Sequence, residues 1–579
     1  MPRLVSFRPL VLALALAATG PTALRADEGG NSGAYLAARI AETDNDRKGE
    51  YDFRAAAHWY GLALESDPAN PVLLEGAVIS NLGLGQMEAA AFSARAMLAE
   101  GNVGQATFLA LVDDSARAGD YDSVLELTNS GSNAGALLEG LVRAWAELGR
   151  GRMSEATEGF DKLAATRGLE AFGLYHKALA LASAGDFEGA DEILSGRASG
   201  KIGVMRRGVL AHVQILSQLE RNADAIALLD RSFGTDSDPE IDDLRRRLAA
   251  GEPLAFDVVR NATDGIAEVF FTLATALNGE ADDGYTLLYT RIAADLRADH
   301  TEAVLLTAGL LEQLGQHDLA TEAYAAIPST SPIFHVAEMG RAEAAWNAGR
   351  KEAAVEILQG LTRSHPDIMP VRVALGDTLR RDERFAEARA AYDAAIAMID
   401  TPDRTHWAIF YSRGICAERL GDFAAAETDM RRALELNPDQ PQVLNYLGYS
   451  FVDRGENLDE ALDMIQRAVK GQPGSGYIID SLAWAYFRLG RYEEAVEPME
   501  QASMLEPVDP VVTDHLGDVY WMVGRQREAE FQWHRALSFN PAEADAARIR
   551  KKLEKGLDAV MADEAAARPR AVDAAKNGD

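Results

Sequence analysis

The chain has 579 residues, a length at which a single hydrophobic core no longer keeps growing, so it must contain several domains or a core that extends along a repeat array. Its formal net charge is −33, which disfavours nucleic acid and anionic lipid as partners, because both carry negative charge. Aromatic residues make up only 7 %, the chain is rich in Ala and Leu, and period-two alternation of β-branched residues is nearly absent. Composition therefore favours an all-α protein.

The first residues have the pattern of a secretory signal peptide. Arg3 and Arg8 make the start basic, residues 10–18 are apolar, and small residues follow. The best cleavage point is after Ala26. The apolar run is about half the ~20 residues that a transmembrane helix needs. Cys416 is the only cysteine, so neither an intramolecular disulfide nor a lipid anchor at the cleavage point is expected. We predict export to the periplasm as a soluble protein without a stable membrane anchor.

Self-similarity with a period of 34 residues is the strongest pattern in the chain. Small residues recur at that spacing, and a second small residue follows twelve positions later, because the two helices of a hairpin cross closely there. Glycines between the two helices fit the backbone angles that end a helix, and prolines end each unit. The predicted small pairs are Ala77 and Ala89, Ala144 and Ala156, Ala178 and Ala190, Ala211 and Ala223, Ala308 and Ala320, Ala342 and Ala354, Gly376 and Ala388, Gly414 and Ala426, Ala483 and Ala495, and Gly517 and Ala529. Gly448 and Ala461 form one more pair, which is thirteen apart because its turn carries one extra residue.

These positions resemble the signature of the tetratricopeptide repeat (TPR) family. The resemblance implies a TPR α-solenoid, a right-handed superhelix of helix–turn–helix repeats whose function is to hold other proteins. The pattern breaks between Gly234 and Gly265. We therefore predict a signal peptide over 1–26, an N-terminal array over 27–234, an irregular linker over 235–265, a C-terminal array over 266–541, a capping helix over 542–561 and a disordered tail over 562–579.

No pattern of catalytic or metal-ligating residues stands out. The ten histidines occur singly, no His-Glu-x-x-His or Cys–His cluster is present, and no Gly-x-Ser-x-Gly turn exists. Cys416 lies on a predicted buried helix face and is interpreted as a packing residue. The sequence thus predicts a protein that is not an enzyme and needs no cofactor or metal.

The first helix of each repeat should supply the inner wall of the solenoid. Residues three before, one after and four after its small residue should point to that wall. Aromatic rings interleaved with acids and an asparagine suit an extended peptide, although the same rings could instead pack between helices. In the last four repeats the rule selects Tyr411, Ile415, Glu418, Asn445, Tyr449, Val452, Asp480, Trp484, Phe487, Asp514, Asp518 and Trp521.

The C-terminal repeats also resemble a narrower group. The stretches 444–461, 479–490 and 515–521, which begin Leu-Asn-Tyr-Leu-Gly-Tyr, Ile-Asp-Ser-Leu-Ala-Trp and His-Leu-Gly-Asp-Val-Tyr, look like bacterial exported TPR proteins. That group includes an outer-membrane lipoprotein adaptor that binds a carboxyl-terminal processing protease and presents cell-wall hydrolases to it. The resemblance implies an adaptor for a protease or cell-envelope enzyme. The alternative is a chaperone-like assembly factor for outer-membrane or cell-envelope proteins.

Overall fold

A computed structural model describes residues 32–43, 51–132, 134–198, 203, 205–234 and 239–567. The predicted signal peptide and the tail from 568 onward lie outside these residues. Over the described ranges the chain forms 31 α-helices and one short 3-10 turn, without any β-strand. The predicted all-α class is confirmed. Contacts divide the chain into two compact units, unit 1 up to Ala348 and unit 2 from Gly349.

Unit 1 contains eighteen of the described helices. They are α1 Ser32–Thr43, α2 Phe53–Ser66, α3 Pro71–Leu84, α4 Met87–Ala99, α5 Gln105–Arg117, α6 Tyr121–Leu127, α7 Ala136–Gly149, α8 Met153–Ala164, α9 Glu170–Ser183, α10 Phe187–Leu194, α11 Arg206–Gln218, α12 Asn222–Phe233, α13 Pro239–Ala249, α14 Ala262–Leu277, α15 Asp283–Leu296, α16 Thr301–Gln313, α17 His317–Ala325 and α18 Phe334–Asn347.

Unit 2 continues with thirteen helices in the described part of the chain. They are α19 Lys351–Ser364, α20 Met369–Arg381, α21 Phe385–Ile396, α22 Trp407–Arg419, α23 Phe423–Leu436, α24 Pro441–Arg454, α25 Leu458–Gly471, α26 Gly476–Arg488, α27 Tyr492–Leu505, α28 Pro510–Met522, α29 Gln526–Ser538, α30 Glu543–Lys555 and α31 Leu557–Ala567, with a 3-10 turn at Arg404–His406 before α22. Each helix from α20 to α29 pairs with its neighbour as a hairpin, and the first helices of successive hairpins also contact one another.

The small pairs pack where the helices of a hairpin cross, with two exceptions. Nearly all predicted members are buried, but Ala89 and Ala223 are exposed. Ala90 and Ala225 are buried in their place. The reason is that α4 and α12 begin one and two residues later than the repeat phase assumes, so the inward face of each helix is displaced accordingly.

The hairpin of α14 and α15 does not simply start a second array. The two helices pack on α3, α5, α7 and α9, which are first helices of the N-terminal hairpins. Gly265 of α14 lies against the indole of Trp145, where a Cβ atom would stand 2.2 Å from the ring. Because α14 buries its apolar surface on these helices, the chain does not divide into arrays at 235–265 as predicted, and the units instead divide after Ala348.

In the described part of the predicted linker, the break in the repeat pattern contains the helix α13, residues 250–261 are without helix, and α14 begins at Ala262. The single capping helix predicted over 542–561 is instead the pair α30 and α31, and residues 562–567 are helical rather than disordered. Gly556, with a φ of 81°, separates the two helices, because this left-handed conformation is easily adopted only by glycine.

Candidate functional site

The predicted wall residues of unit 2 lie on α22, α24, α26 and α28, which are first helices of their hairpins. Their side chains differ in what they contact. Val452, Asp480, Trp484, Phe487, Asp514 and Asp518 are buried, whereas Tyr411, Ile415, Glu418, Asn445, Tyr449 and Trp521 are partly exposed. The wall therefore has a closed C-terminal part and a more open N-terminal part.

Trp484 is held in a stack between helices α26 and α28. Its indole lies nearly parallel to the Phe487 ring at a centroid distance of 4.6 Å and to the His515 imidazole at 4.0 Å. His515 Nδ1 lies 3.0 Å from the Asp480 carboxylate. Burial lowers the pKa of His515, but the carboxylates around it, Asp480 foremost, outweigh that effect and raise the pKa. The seam between these two repeats thus contains Trp484, Phe487 and Asp480. The two rings pack between helices, which is the alternative that the sequence left open.

Asp514 and Asp518 are paired with the helix that follows the last repeat. Lys552 of α30 is buried, and its Nζ lies 2.7 Å from Asp514 Oδ2 and 2.6 Å from Asp518 Oδ1. The indole N–H of Trp533 donates to Asp518 Oδ1 at 2.9 Å. A buried ammonium between two carboxylates compensates charges that would otherwise be costly to bury. These two acids therefore anchor α30 and are not free to contact a partner.

Trp521 lies at the same end of unit 2. Its indole N–H donates to Asp558 of α31 at 2.9 Å, and its ring lies 5.3 Å from that of Trp533. A Cβ atom on Gly556 would stand 2.6 Å from the Trp521 ring, so the α30–α31 junction also needs glycine for lack of space. Trp521 therefore fixes the C-terminal helices while remaining partly exposed.

Three of the other predicted residues, Tyr411, Asn445 and Tyr449, form what we call the Tyr–Asn wall. The ring of Tyr411 packs edge-on against that of Tyr446, with 5.9 Å between the centroids. Asn445 and Tyr449 of α24 are both partly exposed. Among the described residues none hydrogen-bonds to Asn445 Oδ1, although that atom is buried. Burial, followed by the carboxylates of Asp480 and Asp453, raises the pKa of Tyr449 to about 12, so its hydroxyl stays protonated and can donate. This wall can offer rings and an amide to a peptide backbone.

A buried polar network that the sequence did not reveal holds α14 in unit 1. Glu268 is fully buried, accepts from Tyr175 Oη at 2.9 Å and from Arg207 Nε at 2.7 Å, and lies 3.4 Å from His300. Burial alone would raise the pKa of Glu268, but Arg207 and His300 lower it to about 2. Arg207 also contacts Glu302 at 3.1 Å. In unit 1 the surface of the first helices is thus covered by this chain's own α14.

A second contact in the same place links α7, α9 and α14. The Trp145 indole donates to His176 Nδ1 at 3.1 Å, so His176 is neutral and its Nε2–H donates to Thr272 Oγ1 at 3.1 Å. Burial lowers the pKa of His176 to about 4. The pKa of Asp113 on α5 shifts in the opposite direction, because burial and the charge of Asp295 raise it to about 8.

We predict an acid-dependent difference between the wild type and His176→Gln, since glutamine can accept from Trp145 and donate to Thr272 without titrating. The folded-state pKa of His176 lies below its ordinary value of 6.5, so the unfolded chain takes up the proton first as the pH falls. The wild type should therefore lose about 3 kcal/mol relative to the variant between pH 6.5 and 4. Urea unfolding of both proteins across this range measures the difference, in which the contribution of Asp113 cancels. A constant difference would contradict the assignment.

Cys416 and the possible metal ligands provide no further candidate site in the described part of the chain. Cys416 is buried, and burial raises the pKa of its thiol to about 11, as expected for a packing residue. Within the described ranges, no group of three His, Cys, Asp or Glu side chains could hold a metal ion. The described helices also include none that is long and apolar enough to span a bilayer.

Comparison with known proteins identifies the repeats. Family models described as tetratricopeptide repeat match residues 339–403, 411–476 and 477–503. A TPR repeat-containing protein of Pseudomonas aeruginosa is 27 % identical over 159 residues, which are 27 % of this chain and 26 % of the relative. The chain therefore matches about a quarter of that relative's length. These matches support the TPR family.

Solved structures with some likeness are also helical. The Cut9–Hcn1 hetero-tetramer of APC/C gives a TM-score of 0.37 at 16 % identity, over 85 % of this chain and 98 % of the other. Yeast Tom70 gives 0.35 at 13 % identity, over 92 % of this chain and 97 % of the other. Scores below 0.5 do not establish a shared global arrangement.

Proposed function

We propose that this chain, which carries tetratricopeptide repeats over 339–503, is a non-catalytic scaffold that binds other proteins. We place its work in the periplasm, as an adaptor that presents clients to a protease or another cell-envelope enzyme. The predicted signal peptide and the resemblance of residues 444–521 to exported adaptors support this finer assignment.

The observation that carries the binding site is the amide oxygen of Asn445, which accepts no hydrogen bond from the described residues. A buried carbonyl oxygen without a donor costs about 1–3 kcal/mol. Asn445 is partly exposed, so a rotation of its amide towards a peptide laid along α24 would give this oxygen a backbone N–H and remove that cost. Tyr449 follows Asn445 by four residues on α24, and Tyr411 holds the position equivalent to that of Asn445 in the preceding hairpin. Both rings are partly exposed and can pack on the partner's side chains. We therefore assign an extended peptide segment to the Tyr–Asn wall. The buried Trp484, Phe487, Asp514 and Asp518 contribute indirectly, since they hold the neighbouring helices.

Asn445→Leu is expected to weaken partner capture about ten-fold or more, because leucine keeps the volume and removes both hydrogen-bonding groups of the amide. The matched control is Gln442→Leu, an exposed amide on the same helix, which should leave capture unchanged. The measurement is an affinity pull-down with the mature protein from periplasmic extract, quantified by mass spectrometry. Circular dichroism melts verify that both variants remain folded.

The identity of the captured proteins distinguishes an adaptor from a chaperone-like assembly factor. Recovery of a processing protease together with its substrates, reduced by Asn445→Leu, supports the adaptor. Recovery of only unfolded or β-barrel clients would favour the chaperone-like assembly factor instead. Equal recovery by the wild type and Asn445→Leu would remove the Tyr–Asn wall as the binding site.

A further inference from the structure

An apolar patch lies at one end of the last hairpins of unit 2, where α26 and α28 begin and α27 ends. We call four residues there the edge patch: Tyr477 in the first turn of α26, Met504 in the last turn of α27, Val508 in the following loop and Val511 in the first turn of α28. Their exposed fractions are 55, 73, 69 and 44 % respectively. Tyr477 Oη lies 3.5 Å from Asp509 Oδ2, so the start of α26 contacts the loop that follows α27. Because α27 runs antiparallel to α26 and α28 and packs on both, the four residues lie at the same end of these hairpins.

The fold does not require apolar residues at these positions. Measured from the second small residue of each hairpin (Ala433, Ala468, Ala502 and Ala536), Met504 corresponds to Glu435, Lys470 and Ser538. On the same count Val508 corresponds to Asp439, Gly474 and Ala542, and Val511 to Gln442, Tyr477 and Asp545. All of these positions are exposed, so the repeat demands exposure there and accepts polar residues. Exposed apolar side chains that the packing does not need are typical of interaction sites.

The surroundings of the edge patch are negatively charged. The carboxylates of Glu506 and Asp509 lie close to the Tyr477 hydroxyl and raise its pKa, as a negative potential at the edge patch would. One cation is nearby, since Arg535 donates to the carbonyl of Pro507 at 2.5 Å. Two acids against one base leave an excess of negative charge around apolar side chains. A complementary ligand would combine apolar side chains with Lys or Arg.

The size of the patch indicates what kind of ligand it fits. Stable dimers bury roughly 800 Å² on each partner, contributed by about 20–30 residues. Four side chains supply a peptide-sized contact and not a dimer interface of that kind. We propose that the edge patch binds a short segment of another protein that carries apolar residues flanked by Lys or Arg, at a site separate from the Tyr–Asn wall.

Selection from a phage-displayed library of random dodecapeptides on the intact protein tests this proposal. The counter-selection variant is Met504→Ser with Val508→Ala, which installs the residues of the next hairpin, Ser538 and Ala542, and leaves the charge unchanged. Enriched peptides should combine aliphatic or aromatic residues with Lys or Arg. Synthesised peptides should bind the double variant about ten-fold more weakly, as measured by fluorescence polarisation.

Three single variants test the charge and the location of the binding site. Glu506→Gln should weaken binding about three-fold and reduce its salt dependence, because it removes one carboxylate from the rim. Phe92→Ala, at an equally exposed ring in unit 1, should change nothing. Asn445→Leu should also leave peptide affinity unchanged, which keeps this test independent of the Tyr–Asn wall.

Several results would overturn the proposal. The first is selection of acidic peptides, or of none that distinguish the wild type from the double variant. The second is loss of peptide binding in Asn445→Leu, which would move the ligand to the Tyr–Asn wall. The third comes from sedimentation velocity: if the wild type dimerises and the double variant does not, the edge patch joins two copies of this chain.

Discussion

Replacing Glu268 with Gln is expected to lower the free energy of unfolding of unit 1 by about 3–5 kcal/mol. The glutamine keeps the volume but removes the charge that compensates Arg207, whose side chain is only 10 % exposed. Glu302 remains beside Arg207 but is 29 % exposed, so it offsets the buried guanidinium only in part. The region that loosens first should be α14, because Glu268 joins it to Tyr175 of α9 and Arg207 of α11.

Hydrogen exchange of the α14 amides, followed by mass spectrometry, measures this local loss directly. Glu280→Gln is the matched control, since Glu280 is exposed just beyond the end of α14. The double change Arg207→Met with Glu268→Leu should recover much of the stability, because apolar residues of similar volume often replace a buried ion pair without loss. If Glu268→Gln exchanges like the wild type, the network does not hold α14.

Replacing Lys552 with Met is expected to destabilise the C-terminal end of unit 2 by a similar amount, about 3–5 kcal/mol. The change leaves Asp514 and Asp518, both buried, without their ammonium partner. Arg548 is 3.4 Å from Asp518 Oδ2 and is itself 30 % exposed, so it compensates only part of the charge. We expect α30 and α31 to detach from α28 before the rest of unit 2 unfolds.

Hydrogen exchange of the α28 and α30 amides, together with a thermal melt, measures this loss of stability at the C-terminal end of unit 2. Lys551→Met is the control, because Lys551 is the adjacent residue and is exposed. Adding Asp514→Asn and Asp518→Asn to Lys552→Met should restore protection, since the uncompensated charges are then absent. Unchanged protection of α30 in the single variant would show that the ion triad does not anchor the C-terminal helices.

The fold class and most of the hairpins could be predicted because their determinants are local. Small residues such as Ala144 and Ala156 must face each other wherever two helices cross closely, and glycine is favoured at a helix end where φ is positive. The phase failed at Ala89 and Ala223, where one or two extra residues delay the second helix. Such a shift leaves the composition of the segment unchanged, so only the backbone reveals it.

The candidate site was predicted less completely. The wall rule selected residues by their position on the first helices, and Tyr411, Asn445 and Tyr449 remain available there. The rule could not distinguish them from Trp484 or Asp518, because burial of those side chains depends on His515 and Lys552, which belong to later helices. His515 and Lys552 themselves carry no sequence signal beyond a charged residue on a helix face.

The sequence by itself determined the all-α class, the 34-residue period and the positions at which helices of a hairpin meet, because these depend on contacts between residues about a dozen positions apart. Only the tertiary structure decided that α14 covers the first helices of unit 1 and that Lys552 closes over Asp514 and Asp518. Glu268 meets Arg207 across 61 positions and Tyr175 across 93. An amphipathic helix has the same local pattern whether it packs on its neighbour or on a distant repeat, so only the folded chain reveals which surface its apolar and charged side chains contact.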